Sequence, residues 1–158
     1  MKPSSSQVKS IIRRGLRQLL DPDPKPAERS RVWTFFNYQC AYCGIALVRG
    51  EGHLDHLISA ARDGSNHISN RVLSCKTCNV EEKREMAWKD FLKKKCPDEQ
   101  VLVERQRKIE EWISQHGDTQ PLPEESLRLL ESEYKRVAAE YDLACRRIRN
   151  AKRSLTAR

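Results

Sequence analysis

Two Cys-x-x-Cys pairs, Cys40/Cys43 and Cys75/Cys78, bracket a stretch that carries Asp55-His56 and Asn70, and Asn79 follows the last cysteine directly. Paired thiolates at this spacing close a tetrahedral zinc site and give both ligand pairs the same local geometry. The 31 residues between the pairs exceed a compact zinc ribbon's spacing and leave room for a hairpin and a reactive loop. His56 offers a neutral imidazole near pH 7, a base able to take a proton from water. Asp55 supplies a hard oxygen of the kind Mg²⁺ or Mn²⁺ prefers, and Asn79 a neutral carbonyl oxygen for the same cation. Asn70 can accept the imidazole N–H and fix its tautomer. A base beside a cation that stabilises charge growing on phosphorus is what phosphodiester hydrolysis requires. Each residue alone has a plainer explanation as a surface, core or capping residue; their joint placement around a metal frame carries the reading.

The elements that must position these groups divide the chain in three. Residues 1–26 read as a basic amphipathic helix (Val8, Ile11, Ile12, Leu16, Leu19 and Leu20 at helical spacing over 5–20) and a stiff DPDPKP connector. Residues 27–96 read as the chemical core. A short helix at 27–37 brings Trp33, Phe35 and Phe36. IALVRGEGHLDHL then reads as two strands around Gly50-Glu51-Gly52, 59–69 as a loop, and 78–95 as one helix. A ββα unit this small needs a staple, which the zinc provides. Residues 97–158 read as two helices, the first capped by Asp98 and closed by Gly117. The second carries Leu127, Leu130, Tyr134, Val137, Tyr141, Ala144, Ile148 and Ala151 at heptad spacing. The short 117–123 turn favours their folding as an antiparallel hairpin, with a homodimer through the same stripe as the competing reading. Arg146, Arg147, Arg149, Lys152, Arg153 and Arg158 form a basic C-terminal arm, read either as a solvated tail or as a phosphate-contacting arm. The fold class expected is α+β, mostly helical: a zinc-stapled ββα-metal core with flanking helices and a C-terminal helical hairpin.

The segment from Cys40 to Lys83 resembles the HNH endonucleases, a branch of the ββα-metal (His-Me finger) nucleases. The matching features are C-x2-C-G, Asp-His, Asn fourteen residues after that histidine, C-x2-C, and an Asn directly after the final cysteine. Asn79 stands where many members carry their third histidine. The resemblance implies that Asp55 and Asn79 hold a catalytic Mg²⁺ or Mn²⁺, that His56 is the general base, and that Asn70 orients His56 or its loop. It implies a structural Zn²⁺ on Cys40, Cys43, Cys75 and Cys78. The chain departs from the family in having Ser59 where a proline is frequent, Asp63-Gly64 where Gly-Gly is frequent, and one extra residue in the C-N-x-x-K ending, here Cys78-Asn79-Val80-Glu81-Glu82-Lys83. His53, Arg62, Lys83 and Arg84 are candidates for contacting nucleic acid.

Thirty Lys and Arg against twenty-two Asp and Glu give a net charge of +8, which favours polyanionic partners, nucleic acid first and acidic membrane surfaces second. The resemblance to HNH endonucleases implies that the nucleic acid is DNA, double-stranded DNA first. No apolar run approaches the roughly 18 residues of a membrane span. Cysteines paired for metal, in a charged and helical chain without a secretion signal, point to the reducing cytoplasm. The function expected is a metal-dependent DNA endonuclease. The alternatives are a non-catalytic zinc-containing nucleic-acid-binding module and a helical interaction protein.

Overall fold

The computed structural model describes residues 3–117 and 120–156. It divides into two compact units, residues 21–122 and the pair of segments 1–20 and 123–158.

The second of these units is helical. α1 spans Ser5–Leu20 and α5 spans Glu124–Thr156. Lys9 bonds Asp142 at 2.7 Å and Arg13 bonds Glu131 at 3.0 Å while its guanidinium sits over the Tyr134 ring. The rising order on one helix meets the falling order on the other, so the two run antiparallel. α1 is therefore the neighbour of α5. This revises the expected pairing of α5 with the helix before it.

In residues 21–122 the elements are α2 (Pro26–Phe35), β1 (His53–His56), β2 (Arg71–Ser74), a π-helix (Thr77–Lys83), α3 (Trp88–Lys95) and α4 (Glu99–His116), with 3-10 turns at Ala60–Arg62 and Ile68–Asn70. α2 starts where Pro26 can take the first helical position, with the Glu28 carboxylate accepting the Lys25 N–H at 2.7 Å. The Asp98 side chain caps α4 by accepting the Val101 N–H, as expected. The buried apolar core joins Val32, Phe36, Tyr42, Leu57, Val72, Leu73, Phe91, Leu92, Ile109 and Trp112. α4 buries Ile109 and Trp112 here, and the Trp112 indole donates to the Ile68 carbonyl at 3.1 Å. That bond fixes the turn leading into Asn70.

Two local expectations are corrected. The strand before the Gly50-Glu51-Gly52 turn does not form: residues 45–49 supply one isolated bridge, Gln39 with Ala46. β1 pairs instead with β2, antiparallel, in the register His53–Ser74, Leu54–Leu73, Asp55–Val72 and His56–Arg71. The pairing lets Val72 and Leu73 bury completely. The single helix expected over 78–95 is broken at Arg84, whose φ is 48°. Its first part is the π-helix, whose wider turn holds one more residue than an α-helical turn. It coincides with the extra residue before Lys83, and the winding brings Lys83 inside, 1 % exposed.

Candidate functional site

The four cysteines come together. Their sulfurs lie within 4.8 Å of one another, and Cys43 Sγ and Cys75 Sγ are 3.8 Å apart. A tetrahedral ion with metal–sulfur bonds of about 2.3 Å needs sulfur separations of about 3.8 Å. Four thiols so close cannot all ionise without a cation between them. A hydrogen bond from Cys78 draws Cys40 down to about 4, while burial pushes Cys43 up to about 11. The knuckles are thus geometrically suited to a zinc-sized soft cation. Gly44 has φ +76°, and a Cβ there would strike the Arg105 guanidinium, which donates to the Tyr42 carbonyl at 2.6 Å. α4 is docked against the first knuckle through this contact.

Between the knuckles, β1 presents successive side chains to opposite faces. Asp55 turns inward. Its Oδ2 accepts the Tyr42 hydroxyl at 2.7 Å and faces the Lys83 ammonium at 3.0 Å. Tyr42 is fixed edge-on to Phe91, with ring centroids 5.1 Å apart. Lys83 also donates to the His56 carbonyl at 2.7 Å. Burial raises the Asp55 carboxyl above its ordinary value, against the opposing pull of Lys83 and Tyr42. Both side-chain contacts fall on Oδ2, leaving Oδ1 without a side-chain partner among the described residues.

His56 turns the other way, opposite Arg71 in the register. Arg71 NH1 lies 3.1 Å from His56 Nδ1, and His56 Nε2 lies 3.0 Å from Asn66 Oδ1. A guanidinium can only donate, so Nδ1 is the acceptor and Nε2 carries the proton. Asn66 is itself oriented: its Nδ2 donates to the Asp21 carbonyl at 2.6 Å, and its backbone N–H donates to the Asp21 carboxylate at 2.8 and 2.9 Å. Arg71 NH2 reaches Asp23 at 3.0 Å and also Asn66 Oδ1, while NH1 also reaches the Leu54 carbonyl. Burial holds Arg71 down at about 10, opposed by Asp23 and Asp21.

Asn70 is fully buried and does not bond His56. Its Oδ1 accepts the Ile58 N–H at 2.8 Å, and its Nδ2 donates to the Ile58 and Ser65 carbonyls at 3.0 and 2.7 Å. It therefore pins the 58–65 loop, and the tautomer-fixing bond read from sequence belongs to Asn66 and Arg71. Gly64 closes the same knot, because a Cβ there would collide with the Ile58 carbonyl. Asn79 is half-buried in the π-helix, and its side chain makes no hydrogen bond among the described residues.

The remaining candidates separate. His53, Arg62 and Arg84 are exposed. Lys83 is not available to nucleic acid, since its side chain is 0 % exposed and engaged with Asp55. Sequence reasoning missed Tyr42, Asn66, Arg71, Asp21 and Asp23. Arg71 was accessible through the strand register alone: once His56 pairs with the residue after Asn70, Arg71 must lie beside it. Asp21 and Asp23 sat in what read as a connector, yet Asp21 and Pro24 are buried.

Cysteine knuckles, a strand-borne Asp-His, an asparagine-pinned loop and a closing helix thus follow one another within a single stretch of the chain. Residues 40–85 match the family model of the HNH endonucleases. A curated relative is the Bacillus subtilis (strain 168) protein named "SPbeta prophage-derived putative HNH endonuclease YoqL", 28% identical over 91 residues. The alignment takes in 51% of this chain and 37% of that protein, so the chain spans little over a third of its relative's length. The HNH segment contains both knuckles, Asp55, His56, Asn70, Asn79 and Lys83; Asp21 and Asp23 lie before it, and α4 and α5 after it.

Proposed function

We propose that the chain is a metal-dependent endonuclease acting on DNA, with His56 as its general base. The observation that carries this reading is the pair of contacts on the His56 ring, Arg71 at Nδ1 and Asn66 Oδ1 at Nε2, which together favour a lone pair on Nδ1 and the proton on Nε2. Water that takes Nδ1 in place of one Arg71 N–H gives up its proton there. Nε2–H keeps its bond to Asn66, whose position Asp21 fixes. Arg71 gives up only one of four acceptors in the exchange. Its buried Nε has no acceptor among the described residues.

Asp55, through Oδ1, and Asn79, through its amide oxygen, would be the residues to hold a catalytic Mg²⁺ or Mn²⁺. Such an ion is commonly held by one or two carboxylates, with water and phosphate completing its shell. When bound it stabilises charge developing on phosphorus and the leaving oxygen. Lys83 already neutralises part of Asp55, which predicts a weak, substrate-assisted cation site. Zn²⁺ on the four cysteines would hold the frame.

The test is relaxation of supercoiled plasmid by zinc-loaded protein as Mg²⁺ or Mn²⁺ is added. Nicks resealed by DNA ligase indicate 5′-phosphate and 3′-hydroxyl ends. No nicking with either ion, at any protein concentration that saturates the DNA, argues for the second reading.

That second reading is a non-catalytic module that binds nucleic acid. The engagement of both His56 nitrogens and the Lys83–Asp55 ion pair favour it. It differs from the first in predicting binding without cleavage.

A further inference from the structure

The net charge of +8 is divided unevenly. Residues 21–122, the unit with the candidate site, hold sixteen Lys and Arg and sixteen Asp and Glu. The segments 1–20 and 123–158 hold fourteen against six. The whole excess therefore belongs to the helical unit.

Within that unit the signs are sorted again. All six acids lie between Glu124 and Asp142, and none follows. Glu124 pairs with Arg128, Glu131 with Arg13 and Lys135, Glu133 with Arg136, and Asp142 with Lys9. These pairs engage Lys9 and Arg13 of α1. Arg146, Arg147 and Arg149 are exposed and have no acidic partner among the described residues. Lys152 and Arg153 continue the acid-free run. Arg146, Arg149 and Arg153 recur at i, i+3 and i+7, so they share one face of a continuous helix.

We propose that this C-terminal third of α5, centred on Arg146, Arg147 and Arg149, holds the phosphate backbone of duplex DNA, so that affinity and chemistry belong to different units. The choice of DNA rests on the nuclease reading; the choice of a phosphate polymer rests on the charges. Guanidinium forks match phosphate oxygens two at a time, and at these three positions the chain uses arginine and no lysine. Five basic residues fall within about 12 Å of helix, and the polymer carries one charge every ~1.7 Å of axis. Ile148 and Leu155 are also exposed here, which makes an acidic bilayer the competing surface.

The test uses the full chain with Arg146, Arg147 and Arg149 all changed to Gln, and a second variant with all three changed to Lys. Binding to a short DNA duplex is followed by fluorescence anisotropy without added divalent cation, over about 50–200 mM salt. The Gln variant is expected to bind about tenfold or more weakly, with a salt slope shallower by about 0.9 for each phosphate that is no longer neutralised. The Lys variant keeps most of the slope. Unchanged affinity and slope in the Gln variant overturn the proposal. So does an effect confined to phosphatidylserine-containing vesicles while DNA binding is untouched. Because the readout needs no cleavage, weakened binding of the Gln variant, in a protein that never nicks DNA, counts against the nuclease reading alone. Normal nicking with an unaltered salt slope counts against this proposal alone.

Discussion

The Lys83 ammonium lies 3.0 Å from Asp55 Oδ2, with the lysine side chain 0 % and the aspartate side chain 6 % exposed. The pair joins the helix after the second knuckle to the strand that carries His56, and Lys83 extends the link to the His56 carbonyl. A buried ion pair is a poor source of net stability, yet removing one partner is severe because the other charge is left unpaired in the interior. Lys83→Met is therefore expected to cost about 3–5 kcal/mol in denaturant unfolding. Combining it with Asp55→Asn is expected to recover much of that loss. Additive losses in the double variant would show that the two residues act separately.

Arg71 sets the state of His56. In free protein, long-range ¹⁵N–¹³C spectra are expected to show Nε2 protonated and Nδ1 bare. Arg71→Gln removes the donor at Nδ1, so the two tautomers become mixed, while Arg71→Lys retains a cationic donor. Slower nicking is expected in the Gln variant, by about tenfold to a hundredfold, a fraction of the roughly hundredfold to ten-thousandfold that general-base catalysis contributes. A wild-type spectrum with Nδ1 protonated would contradict the hydrogen-bond assignment.

The knuckles carry a stability prediction. Purified protein should hold one zinc per chain by elemental analysis. Cys78→Ser should bind it weakly and lose cooperative thermal melting, because metal binding and folding are one equilibrium in a core this small. Retention of a sharp melt after complete chelation would mean that the aromatic core suffices alone.

The π-helix offers a length test. Removing Glu81 shortens Cys78-to-Lys83 by one residue, as an ordinary α-helical turn needs to keep the lysine on the same face. Folding and the buried lysine–aspartate contact are expected to survive, at a cost of about 1–2 kcal/mol or less for repacking an exposed position. Complete unfolding would assign the extra residue a role beyond spacing.

Part of the candidate site was legible because metal ligation leaves residue types at fixed intervals. The cysteine pairs, whose sulfurs converge, are such marks, and α1, α2 and α4 follow from periodicity, caps and prolines. What was not legible depends on who pairs with whom. Nothing local in GHLDHL says that it pairs with RVLS in preference to IALV. That choice decides that Arg71 faces His56. The DPDPKP stretch has a connector's composition, and its place under Asn66 arises from hydrogen bonds 45 residues apart. The heptad stripe of α5 identified an apolar face but not its neighbour, since α1 and α4 both offered a suitable partner.

Whether His56 is the base of a DNA-cutting site is decided by single-turnover nicking of plasmid by wild-type protein and His56→Ala under saturating Mg²⁺ or Mn²⁺. Nicking by wild type, with a loss of at least about a hundredfold in the variant at unchanged DNA affinity, is the predicted result. Nicking that survives the substitution would contradict the account.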